Sequence, residues 1–133
     1  MLDQSGSIGG PNFGLMKSFL AQLVGRLDID SGNTRVGLIT FSSTPGSGFN
    51  LSTHSSVAAV QSAISSLTYS GGGTNTADAL AHVRTVMLTS ATGDRSNIPN
   101  VVVVLTDGNS NNPQATQVSV KYIVITITVC RQI

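Results

Sequence analysis

Glutamate and tryptophan do not occur in this 133-residue chain, and cysteine occurs once. A single cysteine excludes an internal disulfide framework. Cys130 is therefore either a free thiol or the partner of a cysteine outside this stretch. Charge is also scarce: 10% of residues carry it, and the formal net charge is +1. That excludes the basic field by which nucleic-acid binders and acidic-membrane binders work. The seven Lys and Arg read as scattered surface, and all six acids are Asp. With so few charges the polar surface rests on Ser, Thr, Asn and Gln. No apolar run approaches the roughly 20 residues of a membrane span. Met1 is not followed by a basic segment and a signal-like apolar stretch, so this stretch carries no export address. No repeat of about 20–50 residues recurs, and no linker or charge run divides the chain.

What is present suits one domain with one core. Phe13, Met16, Phe19, Leu20, Leu23, Val24 and Leu27 recur at helical spacing and predict a helix over about 12–27. Pro11 falls where a first helical turn tolerates it. RVGLITF (35–41) is short and rich in branched and aromatic residues, so it reads as a strand. SSTPGSG is expected to be a turn, with FNL opening a short strand. Val57, Val60, Ile64 and Leu67 share a helical face, with Ser55 or Ser56 as its cap. After the loop YSGGGTNT, helical spacing resumes through Ala77, Leu80, Ala81 and Met87. VVVVLTDG is a continuous apolar run ending at Asp107, the signature of a strand buried on both faces. YIVITITV (122–129) is another strand. Strands alternating with helices give an α/β class, a doubly wound, mainly parallel central sheet flanked by helices.

Ligands of such sheets bind beyond the carboxyl ends of the strands, near a switch in strand order. Three segments fall just after strands or in loops beside them: DQSGS, GGGTNT and TDG. They offer carboxylates from Asp3 and Asp107 and hydroxyls from Ser5, Ser7 and Thr74, with no Cys or His among them. An all-oxygen set with two acids suits a hard cation, Mg²⁺, Mn²⁺ or Ca²⁺, rather than zinc. In an extended segment residues 3, 5 and 7 share one face, and Gly6 lets the two hydroxyls curl around a point. Gly71, Gly72 and Gly73 allow the close backbone approach that brings Thr74 alongside. Each segment alone is common loop sequence; the three in this order are specific.

LDQSGSI, GGGTNTADAL and VVVVLTDG resemble the von Willebrand factor type A domain and its metal-ion-dependent adhesion site, whose motif is Asp-x-Ser-x-Ser, then a distant Thr and a distant Asp. NFGLMKSFLAQLVGRLDI, TRVGLITFS and RSNIPNVVVVLTDG resemble its extracellular animal branch, that of collagen VI, matrilins and integrin inserted domains. The resemblance implies a Rossmann-like fold and a metal site made by Asp3, Ser5, Ser7, Thr74 and Asp107. It implies that Ser5 and Ser7 bind the metal directly, that Thr74 and Asp107 exchange direct and water-mediated contact, and that Asp3 acts through water or by hydrogen bonding. It further implies that the loops around Gly72, Gly73, Asn75 and Gly108 meet a partner, whose Asp or Glu completes the metal shell. The expected function is a non-enzymatic, extracellular adhesion module that uses Mg²⁺ (or Mn²⁺ or Ca²⁺) and binds collagen or another matrix protein. The alternatives are an intracellular scaffold of the same fold and a metal-dependent phosphohydrolase. The second lacks the expected Asp-x-Asp nucleophile.

The family's first strand runs several apolar residues before its Asp, whereas Met1 and Leu2 stand there here. Only 14 residues separate Asp107 from Tyr122, so a full family helix is not expected between them. The chain is therefore expected to hold one domain over 1–133, incomplete at both ends, marginally stable and prone to associate. A state switch coupled to a C-terminal helix is not carried over. His54 and His82 read as surface or packing residues. Asp78 reads as a helix-start acid or a support behind the metal ligands. Asn50-Leu51-Ser52 is a glycosylation sequon, meaningful on export. No Ser–His–acid arrangement or phosphate-binding loop is present in the sequence.

Overall fold

A computed structural model of the chain describes residues 1–108, 110–120 and 125–129, with backbone alone for 118–120 and 125–129. In chain order the elements are β1 (Leu2–Asp3), α1 (Gly9–Val24), β2 (Leu38–Phe41), β3 (Pro45–Phe49), α2 (Val57–Ser66), α3 (Thr76–His82), β4 (Val102–Thr106), α4 (Pro113–Val120) and β5 (Ile125–Val129). A π-helical turn, Val83–Met87, continues α3, and a 3₁₀ turn occupies Ser90–Thr92. The strands form one sheet in the order β3-β2-β1-β4-β5. All neighbours are parallel except the β2–β3 pair.

Side chains of successive strand residues point to opposite faces, and two core clusters follow from that. Leu2, Leu38 and Leu105 pack with Phe13, Met16 and Val24 of α1 and Val60 and Ile64 of α2. Ile39, Phe41, Val102 and Val104 pack on the other face with Ala79, Leu80, Val83 and Met87. The doubly wound α/β class read from the alternation is the one found. Ser56 is the α2 cap; its Oγ accepts from the Ala59 N–H at 3.2 Å.

Local departures have local causes. α1 starts at Gly9, earlier than about 12, and Pro11 lies inside its first turn as expected. N–H groups of that turn have no intrahelical acceptor, so proline costs nothing there. Phe19 is 45% exposed and Leu27 is 36% exposed, so the buried stripe is narrower than expected. At about 100° per residue, Phe19 stands about 120° round the helix from Phe13. Leu27 follows the helix end at Val24, where helical phase no longer applies. β2 is shorter than 35–41 because ladder partners begin at Leu38, opposite Phe49.

The expected turn at 42–48 is largely strand. The chain reverses at Ser42–Thr44, and Pro45–Phe49 returns as the antiparallel edge strand β3. Its glycines are there for closeness, not for turning: a Cβ on Gly48 would collide with the Leu38 carbonyl oxygen of β2. Gly48→Ala is accordingly expected to lower stability by about 1–3 kcal/mol through overpacking, measurable by urea unfolding. Unchanged stability would mean that β3 does not sit this close.

The stretch between Asp107 and Tyr122 holds a short helix of eight residues, α4. Asn112 starts it, with Oδ1 accepting from the Ala115 N–H at 3.0 Å. Pro113 takes the first helical position, which proline favours. Cys130 and residues 122–124 of the last expected strand lie outside the described residues.

Candidate functional site

β1 pairs with β2 on one side and β4 on the other. The chain leaves β1 toward α1 and leaves β4 toward α4, so strand order switches at this point. The crevice beyond the carboxyl ends of β1 and β4 is where an open α/β sheet takes a ligand. The loop after β1 carries Asp3, Ser5 and Ser7, and the loop after β4 carries Asp107.

Asp3 is the last residue of β1 and is fully buried. Its Oδ1 accepts from the Ser5 N–H at 2.8 Å, and its Oδ2 accepts from the Thr106 hydroxyl at 2.6 Å. Both oxygens thus hold protein donors, as a buried polar group requires. Ser5 is buried, Ser7 is exposed, and their Oγ atoms lie 3.2 Å apart. The turn that brings them together is closed by the Ile8 N–H on the Ser5 carbonyl at 3.2 Å, and it runs straight into α1.

The glycine loop is tied to this turn. The Gly6 N–H donates to the Gly72 carbonyl at 2.8 Å. Gly72 has φ 106°, and a Cβ there would sit 3.2 Å from the hydroxyls of both Ser42 and Ser43. Glycine alone meets both conditions without strain. The Ser43 Oγ accepts from the Gly73 N–H at 2.8 Å, and the Ser42 carbonyl accepts from the Asn75 N–H at 2.7 Å. Thr74 is held between those two anchors. It is buried, and its carbonyl accepts from the Asn111 N–H of the loop after β4 at 2.8 Å. Tyr69 braces the first turn, its hydroxyl donating to the Ser5 carbonyl at 3.1 Å.

Asp107 is half-buried, and its carboxylate accepts no hydrogen bond among the described residues. It follows Thr106, whose hydroxyl donates to Asp3, so the two acids stand at the ends of neighbouring strands. Both donors to Asp3 are neutral groups. The loops therefore assemble all five sequence-derived positions at one pole of the sheet, within a mesh of backbone hydrogen bonds.

Other expectations are sorted by the same geometry. Asn75 caps α3, and Asp78 is the acid of its first turn: the Asp78 N–H donates to the Asn75 Oδ1 at 3.3 Å, and Asn75 Nδ2 donates to the Asp78 Oδ2 at 2.7 Å. The Asn75 side chain is committed to that cap. His54 packs edge-on against the Phe49 ring, 4.9 Å between centroids, away from the site.

Sequence reasoning missed Thr106, Tyr69, Ser42, Ser43 and Asn111. Only Thr106 had a signal, its position directly before Asp107 at a strand end. Thr106→Val would leave a buried carboxylate oxygen without its donor, costing about 1.5–3 kcal/mol. Thermal unfolding checks this, and Thr106→Ser should recover most of the loss. A Val variant as stable as the parent would remove Thr106 from the site's frame.

The sequence profile of the von Willebrand factor type A domain matches residues 1–130. Mouse vitrin is 37% identical over 108 residues, 81% of this chain and 17% of vitrin. The mouse collagen alpha-4(VI) chain is 40% identical over 114 residues, 84% of this chain and 5% of the collagen. The chain thus spans a small fraction of the relatives it matches. Among solved structures, proximal thread matrix protein 1 from the mussel byssus superposes with a TM-score of 0.84 at 25% identity, covering 96% of this chain and 36% of that one. A further structure of that protein, 26% identical with a TM-score of 0.81, covers 96% of this chain and 36% of that one and has a zinc-occupied metal-ion-dependent adhesion motif.

Proposed function

Because the chain belongs to the von Willebrand factor type A domain family, we propose that it is a divalent-cation-dependent protein-binding module of the extracellular matrix or cell surface. The observation that carries this is the joining of three loops, distant in sequence, into one oxygen-rich cluster at the strand-order switch. Relatives named as matrix proteins, vitrin and a collagen chain, support the extracellular setting. The mussel protein with zinc in its adhesion motif supports a metal at this site.

In this reading Ser5, Ser7, Thr74 and Asp107 hold the cation. Asp3 already accepts two protein hydrogen bonds, so it acts behind them, through water and by orienting Ser5. Three of the four holding groups are neutral hydroxyls, which leaves much of the ion's charge uncompensated. The bound cation then attracts an Asp or Glu carboxylate of the partner, a collagen or another matrix protein. Gly72, Gly73 and Gly108 keep the approach to that position low. Nothing in this scheme transforms the partner, so the module is non-enzymatic. An all-oxygen set favours Mg²⁺, Mn²⁺ or Ca²⁺, while the mussel relative makes zinc a necessary comparison.

The test is binding of the chain to immobilised matrix proteins with each of these ions and with EDTA. Capture by at least one protein, lost on chelation and restored by a cation, is expected. Capture indifferent to chelation for every protein bound would overturn the metal mechanism.

A further inference from the structure

We infer that Asn50 is an N-glycosylation site and that its glycan stands at the pole opposite the cation site. The inference rests on the extracellular reading above, since transfer takes place in the secretory lumen. Asn50-Leu51-Ser52 is the one Asn-x-Ser/Thr sequon in the chain. Its geometry suits an acceptor. Asn50 follows the last residue of β3 and is exposed, as is Ser52. The side-chain amide of Asn50 makes no hydrogen bond among the described residues. Only its backbone is tied, with the N–H donating to Thr53 Oγ1 at 3.0 Å and the carbonyl accepting from the Thr53 N–H at 3.1 Å. That turn presents the free amide outward.

Position follows from strand direction. β3 runs antiparallel to β2, with Pro45 opposite Phe41 and Phe49 opposite Leu38. Pro45 therefore lies at the site end of the sheet and Asn50 at the far end. A glycan there leaves the loops of Ser7, Gly72 and Asp107 clear.

The far pole has reasons to be covered. An apolar cavity of about 520 Å³ opens there, lined in part by Leu51, Met87, Ile98 and Val101. Val101 is 67% exposed and Ile98 is 42% exposed. β3 is also the edge of the sheet, and Gly46, Ser47 and Gly48 are exposed without a charge among them. Natural edge strands are usually blunted by charge, proline or cover. Between Pro45 and Phe49 the edge has neither charge nor bulk, and a glycan at its end supplies cover.

The transfer balances with a lipid-linked oligosaccharide as co-reactant. Asn50 Nδ2 forms a bond to the anomeric carbon of the first sugar, and the bond from that carbon to the lipid pyrophosphate breaks. The pyrophosphate leaves with the electron pair, and the amide gives up a proton.

The test is translation of the full chain behind an added secretory signal in the presence of microsomes. Protease-protected parent chain should gain one glycosidase-sensitive increment. Ser52→Thr should keep it, and Asn50→Gln and Ser52→Ala should lose it completely. A protected parent chain that gains no increment overturns the inference. The glycosylated chain should also bind cation as tightly as the deglycosylated chain. A glycan on a chain that binds no cation would sink the adhesion reading and leave Asn50 standing. Cation binding without a glycan would do the reverse.

Discussion

Alanine in place of Asp107 is expected to weaken Mg²⁺ or Mn²⁺ binding on the order of 100-fold, about 2.7 kcal/mol, with no loss of thermal stability. The two halves of that result have separate causes. Ligand charge count is a main determinant of affinity for hard cations. The proposed set holds two carboxylates, and Asp3 is already occupied by protein donors. Asp107 is thus the one carboxylate free to meet the ion directly. Stability is indifferent because the Asp107 carboxylate accepts no hydrogen bond among the described residues, so its removal strands no donor. Such substitutions usually fall within about 0.5 kcal/mol. Titration calorimetry and a melting curve on the same sample read both halves. Full cation affinity in Asp107→Ala would remove this residue from the site.

Asp3→Ala is expected to behave in the opposite way, with stability failing first. It leaves the Thr106 hydroxyl and the Ser5 N–H without acceptors in a buried setting. Each unmet donor costs about 1–3 kcal/mol, so the pair takes about 2–6 kcal/mol from a total typically near 5–15 kcal/mol. Asp3→Asn separates frame from charge. Its remaining oxygen still serves the Ser5 N–H, and the Thr106 hydroxyl can rotate to accept from the new amide. Most of the stability should return, while cation affinity stays reduced. A parent-like melt for Asp3→Ala would refute the hydrogen-bonded frame. Parent-like cation affinity for Asp3→Asn would show that the charge at this position is not used.

The class of fold was legible because periodicity survives at long range: VVVVLTDG reads as a doubly buried strand and is β4. The edge strand was not. PGSGF has the composition of a turn, and what makes it a strand is the closeness of β2, a tertiary fact that glycine permits but does not announce. Phe19 was misplaced for a related reason, since helical spacing over sixteen residues tolerates one apolar side chain off the buried face. The candidate site was legible through Asp3, Ser5, Ser7, Thr74 and Asp107 because oxygen-bearing groups recur in two loops after strands and in the glycine loop before α3. Its supports were not. Ser43 and Asn111 act through a hydroxyl oxygen and a backbone N–H, whose targets are decided only when the loops meet. Tyr69 likewise reads as any half-buried aromatic until its hydroxyl finds the Ser5 carbonyl.

The central place of β1 sets an order in time. Leu2 pairs with Thr40 and with Leu105, so β1 precedes both of its neighbours in the chain, and β4 follows only after β2, β3 and the helices between. At about 5–20 residues per second of synthesis, β1 waits on the order of 5–20 s for β4. Contacts this far apart in sequence also slow folding itself. During that wait Ser5 and Ser7 have emerged, yet Thr106 and Asp107 have not. A nascent chain therefore cannot assemble the cluster until both strands flanking β1 exist, and under the proposed function competence to hold a cation arrives late and all at once.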